Sequence, residues 1–234
     1  MNEIYLRGVQ KCFDSGFCLR DVDLRISGGE IFAFIGANGS GKTTTIRNIL
    51  GLMNPDKGEV KITANDRAAT YKDIGITLEN ETPFEGLTPV EYLDFFLSHY
   101  KFNPDKRKGR IENILKYTGL DARKNDCIKD FSKGMKKQLV IAKSLLHEPE
   151  ILIMDEPFDG LSPEIRKGVK ELLRDFANKG KIVFLSTHNL DEAENFCSSF
   201  GIMKNGNFLG KWYISDINTS LENFYFDRTK EQLL

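Results

Sequence analysis

The sequence lacks any apolar run long enough to cross a membrane, because a membrane-spanning helix needs about 20 consecutive apolar residues. Its first residues, MNEIYLRG, also lack the apolar core of a signal peptide. We therefore expect a soluble protein that acts at a membrane only through another protein. A chain of 234 residues can bury the core of one large α/β domain, with or without an inserted subdomain.

A strong net charge is missing as well. Lys and Arg number 33 and Asp and Glu number 34, which gives a net charge of -1. Such a chain has no overall field that attracts nucleic acid or an anionic membrane, although a local basic patch is compatible with this balance. We therefore expect no nucleic-acid partner.

Cysteine is scarce, and its few copies form no motif. Because no CxxC pair occurs and no histidine cluster lies nearby, the pattern suggests neither a zinc site nor a disulfide framework. We therefore expect reduced thiols in the cytosol at all four positions, which are Cys12, Cys18, Cys127 and Cys197.

Alternating strand and helix patterns fill most of the chain. The stretches EIYLRGV and FCLRDVDLRI alternate apolar and polar residues, as half-exposed strands do. The apolar runs IFAFIG, ILIMDE and KIVFLST are typical of buried parallel strands. Helical patterns lie between them, in TTTIRNILGL, in KKQLVIAKSLL and in a third stretch that begins at Pro163, after Ser162 as N-cap, and ends before Gly180. This order predicts an α/β fold with a mostly parallel sheet and an antiparallel β flank.

The strand patterns stop between about residues 82 and 137. Thr88 and Glu91 form a capping box at the start of EYLDFFLSHY, and a second helical pattern ends at Gly119. We read this stretch as an inserted α-helical subdomain. Later in the chain, Asn205-Gly206 predicts a hairpin turn, and a further helix is expected beyond it.

These patterns divide a single domain of residues 1–234 into parts. No internal repeat and no low-complexity tract interrupts it. The predicted parts are an α/β core with its β flank at 1–81 and 138–215, the helical subdomain at 82–137 and a C-terminal helical extension at 216–234.

The segment GANGSGKT follows the strand IFAFI and opens a helix, so it matches GxxxxGK[ST] in the required context. Its glycines let the backbone approach phosphate oxygens, Lys42 can reach the β and γ phosphates, and the Thr43 hydroxyl can ligate Mg²⁺. A glycine-rich turn without a ligand is the alternative, which the full match disfavours. The residues expected to bind the nucleotide are Gly36, Asn38, Gly39, Ser40, Gly41, Lys42, Thr43 and Thr44.

A pair of carboxylates ends the apolar strand of ILIMDEP. Asp155 is placed to hold Mg²⁺ through water, and Glu156 can orient and activate the attacking water. Two adjacent carboxylates at a strand end can also be a solvated terminus. Together with the phosphate loop, however, the pair favours hydrolysis over binding alone.

A second helix start with anion-binding character occurs in FSKGMKKQ, residues 131–138. A helix N-terminus presents unpaired N–H groups and the positive end of the helix dipole, which suit a phosphate. A capped helix start with solvated lysines is the simpler alternative. The question is why one chain carries two phosphate sites.

The order GANGSGKT, FSKGM, ILIMDEP and LSTHNLDEAE resembles the ATP-binding cassette (ABC) ATPases of ABC transporters over essentially the full length. In that family the signature segment, most often LSGGQ, binds the γ phosphate of ATP held by the phosphate loop of a second cassette. Ser132 and Gly134 hold the matching positions here. The resemblance therefore implies a dimer in which each copy completes the other's site. A homodimer suffices, and a heterodimer with a related cassette is also compatible.

Two further roles are implied by position in the family. His188 in STHNLDEAE matches the switch histidine that contacts the γ phosphate. Phe13 in KCF matches the aromatic residue that stacks on adenine, although an aromatic residue near a strand end is often part of a core.

The sequence departs from the family pattern at two positions. Where most cassettes have a glutamine that touches Mg²⁺ and senses the membrane subunit, Glu79 takes the position, with Asn80 as the alternative register. Glu79 can ligate Mg²⁺ but adds negative charge near Glu156. Some transporters of peptide antibiotics share this glutamate.

The second departure lies in EPFDGLSP. Ser162 stands where the family has an aspartate that acts across the dimer, and a serine carries no charge.

The resemblance implies an ATPase subunit that binds ATP and Mg²⁺ on the cytoplasmic face of a separate membrane permease. SKGM is familiar among cassettes that serve exporters with separate permeases, and the chain as a whole resembles those of the multidrug and peptide-antibiotic type, so export is the favoured direction. Two alternatives stay open: a soluble ABC protein that remodels ribosomes or DNA, and a nucleotide-gated binding module with little hydrolysis. The first usually needs fused cassettes or a long coiled coil, which this sequence does not contain.

Overall fold

A computed structural model describes residues 1–100 and 102–230. Among these residues no helix has the length and apolar character that crossing a bilayer requires. Two compact units form: one consists of Met1–Ala68 and the chain from Ala177 onward, and the other of Ala69–Phe176. Residues 231–234, the end of the predicted C-terminal extension, lie outside the described residues.

Ten strands and seven α-helices are formed by the described residues. In chain order they are β1 (Glu3–Cys12), β2 (Cys18–Ser27), β3 (Ile31–Ile35), α1 (Lys42–Ile49), β4 (Lys57–Ala64), β5 (Arg67–Ala68), β6 (Ile74–Thr77), α2 (Pro89–His99), α3 (Pro104–Tyr117), α4 (Lys133–Leu145), β7 (Ile151–Asp155), α5 (Pro163–Asn178), β8 (Ile182–Thr187), α6 (Leu190–Phe196), β9 (Ser199–Lys204), β10 (Asn207–Tyr213) and α7 (Leu221–Lys230).

The first unit is built on a mixed sheet with the strand order β5-β4-β1-β2-β10-β9-β3-β8. Strand β3 pairs in parallel with β8 and β9, whereas β1 pairs antiparallel with β2 and β4. Every residue of β3 and β8 is buried, and β2 alternates buried and exposed positions. The predicted parallel core with an antiparallel flank is confirmed.

Aromatic residues fill the core beneath the parallel strands of the first unit. The rings of Phe32 and Phe34 lie 5.3 and 5.7 Å from the ring of Phe184. All three side chains are fully buried, and their removal from water provides much of the free energy that fixes β3 against β8. The loop that follows β3 therefore starts from a rigid base.

The predicted turn between β9 and β10 is confirmed. Asn205 and Gly206 both have positive φ, 48° and 81°, as a two-residue hairpin turn of type I′ requires. A Cβ atom at Gly206 would lie 1.9 Å from the carbonyl oxygen of Cys18, so no larger residue fits. Beyond this hairpin, α7 lies within the range of the predicted C-terminal extension.

The second unit combines the parallel pair β6 and β7 with helices α2 to α5. The predicted capping box of α2 is confirmed: the Thr88 N–H donates to Glu91 at 2.8 Å, and the Glu91 N–H donates to Thr88 at 3.3 Å. Helix α3 ends before Gly119, whose φ is 74°.

The limits of the helical subdomain remain a prediction. The structure has helices in the range 82–137, but the second compact unit also takes in β6, β7 and α5. One cause is a close approach of α4 to β6, where a Cβ atom at Gly75 would lie 2.0 Å from the Ser144 carbonyl oxygen.

The prediction of four reduced cysteines is wrong. Cys12 and Cys18 form a disulfide, while Cys127 and Cys197 are free. Cys12 ends β1, Cys18 begins β2, and the antiparallel register places these two residues opposite each other. The two cysteines are close because they face each other across a hairpin, and a search for CxxC motifs does not detect such a pair.

Candidate functional site

The phosphate loop lies between β3 and α1 in the first unit. The Lys42 ammonium turns back over the loop and donates hydrogen bonds to the carbonyl oxygens of Gly36 and Ala37, at 2.7 and 3.3 Å. Gly41 precedes α1 with a φ of 116°, a conformation that favours glycine. Residues 37–39 are exposed, whereas Ser40, Gly41 and Lys42 at the start of α1 are buried.

Two details of this loop bear on ligand binding. A Cβ atom at Gly36 would lie 2.4 Å from the Met203 carbonyl oxygen, so the backbone approach requires glycine. The Ser40 hydroxyl oxygen is buried and has no hydrogen-bond partner among the described residues. Because a buried hydroxyl is costly to leave unpaired, a ligand oxygen is a natural partner for it.

The predicted switch histidine follows β8, the parallel neighbour of β3. Ile35 and Thr187 are paired at the carboxyl ends of β3 and β8, so the phosphate loop and His188 both follow this end of the sheet. His188 is exposed. His188 and the phosphate loop therefore begin at the same end of two paired strands, and the role of His188 stays a prediction.

The predicted adenine-stacking residue lies in the loop between β1 and β2. Phe13 is half-buried, and its ring lies 6.2 Å from that of Phe17. The Phe17 ring reaches the phosphate loop itself, because a Cβ atom at Gly41 would lie 3.3 Å from its Cζ. The hairpin therefore presents two aromatic rings on this side of the loop, and the sequence analysis missed Phe17.

The carboxylates of the second unit lie at the carboxyl ends of two parallel strands. Asp155 is the last residue of β7 and is buried, as is Glu156. Glu156 has a φ of 45°, a sparsely populated backbone region for a residue other than glycine. Thr77 of β6 pairs in register with Met154, so Glu79 leaves the sheet beside the two carboxylates.

Glu79 and Glu156 border a cavity of about 470 Å³ in the second unit. Lys137 of α4 also lines this cavity, and its ammonium donates a hydrogen bond to the Asp155 carbonyl oxygen at 3.3 Å. Burial lowers the pKa of Lys137, and the nearby carboxylates oppose this shift. The residues that line the cavity are Glu79, Asn80, Glu81, Thr82, Glu85, Lys133, Lys136, Lys137, Glu156 and Asp159.

The start of α4 confirms the predicted helix start in FSKGMKKQ. Ser132 is the N-cap, and its hydroxyl oxygen accepts a hydrogen bond from the Met135 N–H at 3.2 Å. Ser132 is exposed and Gly134 is half-buried. A Cβ atom at Gly134 would lie 2.7 Å from the Gly160 carbonyl oxygen, so this glycine also has a packing role.

Each unit therefore gathers one group of predicted residues. The first contains the phosphate loop, His188 and Phe13; the second contains Ser132, Gly134, Asp155, Glu156 and Glu79. The sequence analysis also missed Lys137 and Asp159, which lie by the carboxylates. Helical spacing alone could have placed Lys137 on the same helix as the signature segment, but not beside β7.

A family model described as ABC transporter matches residues 19–159. The chain belongs to the ABC transporter family. Within the match lie the phosphate loop, the signature segment and the carboxylates of β7. Phe13 and His188 lie outside it, so their assignments rest on position in the sequence and on the sheet.

Individual ABC transporter proteins agree with this assignment. The chain is 34% identical over 234 residues to the uncharacterised ABC transporter ATP-binding protein YhcH of Bacillus subtilis, covering 97% of this chain and 75% of that protein. It is 30% identical over 207 residues to the Nod factor export ATP-binding protein I of Cupriavidus metallidurans, covering 87% and 68%.

A solved ABC transporter structure shows the same fold. It is described as the structure of an ATP-binding subunit of an ABC transporter, and it superposes with a TM-score of 0.87 at 32% identity, covering 97% of this chain and 99% of that one. The chain is thus an ATP-binding cassette of an ABC transporter.

Proposed function

We propose that this cassette binds ATP with Mg²⁺ and hydrolyses it, and that hydrolysis drives transport through a separate permease. The observation that carries the proposal is the phosphate loop, where Gly36 leaves no room for a side chain and the Ser40 hydroxyl is buried without a partner among the described residues. Such a loop at a helix N-terminus suits a polyphosphate.

The side chains divide the chemistry between them. Lys42 and the loop N–H groups hold the β and γ phosphates, and His188 contacts the γ phosphate. The Thr43 hydroxyl and the carboxylates of Asp155 and Glu79 are oxygen donors of the kind that Mg²⁺ prefers. The ion neutralises phosphate charge when bound.

Glu156 is the proposed base for the attacking water. Its carboxylate orients the water and accepts its proton as the oxygen attacks the γ phosphorus, and ADP leaves. The positive φ of Glu156 supports this role, since strained backbone conformations cluster at functional sites. Positioning and charge stabilisation provide most of the acceleration in sites of this kind.

A dimer completes the proposed site. The exposed Ser132 and the start of α4 offer N–H groups and a helix dipole to an anion. We propose that they contact the γ phosphate of ATP held by the phosphate loop of a second cassette. That cassette is either a second copy of this chain or a related one.

The proposed permease and direction of transport are supported by a relative and by the sequence motifs. The Nod factor export protein is named for export, and the motifs of this chain resemble those of cassettes that serve separate permeases. We therefore propose an exporter subunit that lies on the cytoplasmic face of the membrane through its permease. ATP binding closes the dimer, and hydrolysis reopens it.

The test compares Glu156→Gln with Glu171→Gln, which makes the same change at an exposed position of α5. We expect Glu156→Gln to retain ATP binding in calorimetry but to lower steady ATP turnover by about 10²-fold or more, since a positioned base contributes on this scale. The control should match the unsubstituted protein. Binding without turnover in the unsubstituted protein, even with its permease, would contradict hydrolysis.

A further inference from the structure

A disulfide closes the loop that joins β1 and β2 in the first unit. Cys12 ends β1 and Cys18 begins β2, with a sequence separation of 6. Cys12 is exposed and Cys18 is half-buried, so the bond lies at the surface of the unit. Thiol–disulfide exchange can therefore open and close this loop, residues 13–17, which we call the aromatic loop.

The aromatic loop holds two rings beside the phosphate loop of the same unit. The ring centroids of Phe13 and Phe17 lie 6.2 Å apart. A Cβ atom at Gly41 would lie 3.3 Å from Cζ of Phe17, so this ring packs against the residue that precedes α1. A shift of the aromatic loop would thus alter the surroundings of the proposed nucleotide site itself.

The disulfide joins the two residues that directly flank these rings. Cys12 precedes Phe13, and Cys18 follows Phe17. Within the loop, the Phe13 N–H donates to the Phe17 carbonyl oxygen and the Gly16 N–H donates to the Phe13 carbonyl oxygen, both at 2.9 Å. Residues 14–16 are exposed. Because a covalent closure limits the conformations of the chain that it spans, breaking the bond should loosen both rings.

The phosphate loop keeps its support when the two sulfur atoms separate. The Gly206 N–H donates to the Ser40 carbonyl oxygen at 2.8 Å, and a Cβ atom at Gly206 would lie 1.9 Å from the Cys18 carbonyl oxygen. On the other strand, the Cys12 N–H donates to the Asp56 carboxylate at 2.8 Å. These contacts involve backbone atoms of the cysteines, so reduction should loosen the aromatic loop and leave the phosphate loop in place.

We propose that the Cys12–Cys18 disulfide is a redox-sensitive clamp that positions Phe13 and Phe17 for the base of ATP, so that the oxidised chain binds ATP more tightly than the reduced chain. The inference rests on the proposed function, which brings ATP to this unit on the cytoplasmic face of a membrane. Disulfides of cytosolic proteins are usually transient, catalytic or redox-sensing. A clamp of this kind would couple ATP binding to the thiol poise of the cell.

A dithiol is the co-reactant that opens the clamp. One thiolate of the dithiol attacks a sulfur of the Cys12–Cys18 bond, which forms a mixed disulfide and releases the other cysteine. The second thiolate of the dithiol then attacks the mixed disulfide, and the dithiol leaves as a disulfide. Two electrons and two protons thereby pass from the dithiol to the cysteines, which end as two thiols.

The experiment measures ATP affinity by calorimetry on the full chain before and after treatment with dithiothreitol, with thiol counting to confirm each state. We expect the reduced chain to bind ATP about fivefold more weakly, within the range that one aromatic contact allows. Cys12→Ser with Cys18→Ser should match the reduced chain with or without dithiothreitol. Cys127→Ala with Cys197→Ala, the control for the free thiols, should keep the full response.

Two further measurements locate the effect at the rings. Inorganic triphosphate has no base, so its affinity should change by less than about twofold on reduction, since the phosphate loop keeps its contacts. Phe13→Leu removes one ring and should bring the oxidised and reduced affinities for ATP to within about twofold of each other. Thermal unfolding of each variant and of the reduced chain identifies any that fail to fold.

The outcomes separate the clamp from the proposed function. Equal ATP affinity in the two redox states would overturn the clamp and leave the proposed function standing. Equal weakening of ATP and triphosphate would also overturn it, because the disulfide would then support the phosphate loop and not the rings. If neither redox state binds ATP, the proposed function fails with it. Weaker ATP binding on reduction, with triphosphate unchanged, supports the clamp whatever the rate of hydrolysis.

Discussion

The phosphate loop of the first unit and the carboxylate cavity of the second reach their geometry by different means. The loop is fixed by a backbone contact that leaves no space for a side chain at Gly36. The cavity is lined by charged side chains of residues far apart in sequence, such as the ion pair of Glu85 and Lys136. A contact of the first kind tolerates no substitution, whereas one of the second kind tolerates paired changes.

The largest effect is expected at Gly36. Gly36→Ala places a Cβ atom 2.4 Å from the Met203 carbonyl oxygen and 2.6 Å from the Ser40 hydroxyl, and a backbone atom moves only at high cost. We expect the free energy of unfolding to fall by about 3 kcal/mol and ATP binding to be lost. Urea denaturation and calorimetry measure the two.

Gly39→Ala is the matched control in the same loop. A Cβ atom there meets nothing within 4 Å, but the φ of 77° still disfavours alanine. We expect the free energy of unfolding to fall by about 1 kcal/mol, which is the cost of the backbone conformation alone. Equal losses for the two variants would contradict the assignment of the Gly36 effect to a steric clash.

A smaller effect is expected for the ion pair of Glu81 and Lys143, which joins the segment after β6 to α4. Lys143→Met leaves the Glu81 carboxylate mostly buried without its ammonium, so we expect a loss of about 2 kcal/mol, less than for a fully buried pair. Urea denaturation is again the measurement. Glu81→Gln in the same chain should recover much of the loss, which a pure packing effect of Lys143 would not show.

Removal of the disulfide in the first unit should lower the free energy of unfolding by a similar amount, because the bond restricts the unfolded chain. Cys12→Ser with Cys18→Ser opens a loop with a sequence separation of 6, so we expect a loss of about 2 kcal/mol from the chain-entropy estimate. Thiol counting by mass spectrometry without reductant checks the bond itself and should find Cys127 and Cys197 as the free pair. Four free thiols in the purified protein would contradict the bond.

Much of the fold could be predicted from sequence because its signals are local. The apolar runs of β3, β7 and β8, the capping box at Thr88 and the turn at Asn205 each depend on neighbouring residues. The disulfide could not be predicted, because the register that places Cys12 opposite Cys18 is a property of the paired strands.

The candidate site divides in the same way. The residues of the phosphate loop and of the strand end at Asp155 lie within short motifs, so sequence alone could name them. Lys137 lines a cavity together with residues that follow β6 and β7, and no sequence spacing joins these. Glu79, which lines the same cavity, was visible only as a departure from the family pattern.

The smallest effect on stability is expected at the helix start that the dimer proposal depends on. Ser132→Ala removes the hydroxyl that accepts a hydrogen bond from the Met135 N–H. We therefore expect the free energy of unfolding to fall by about 1 kcal/mol, as for other N-cap serines. Thr88→Ala removes a cap of the same kind from α2 and should cost a similar amount. In the Glu156→Gln background, sedimentation with ATP should show weaker dimers for Ser132→Ala alone. Equal dimerisation by the two variants would mean that the Ser132 hydroxyl only caps its helix, as the Thr88 hydroxyl does, and takes no part in the dimer.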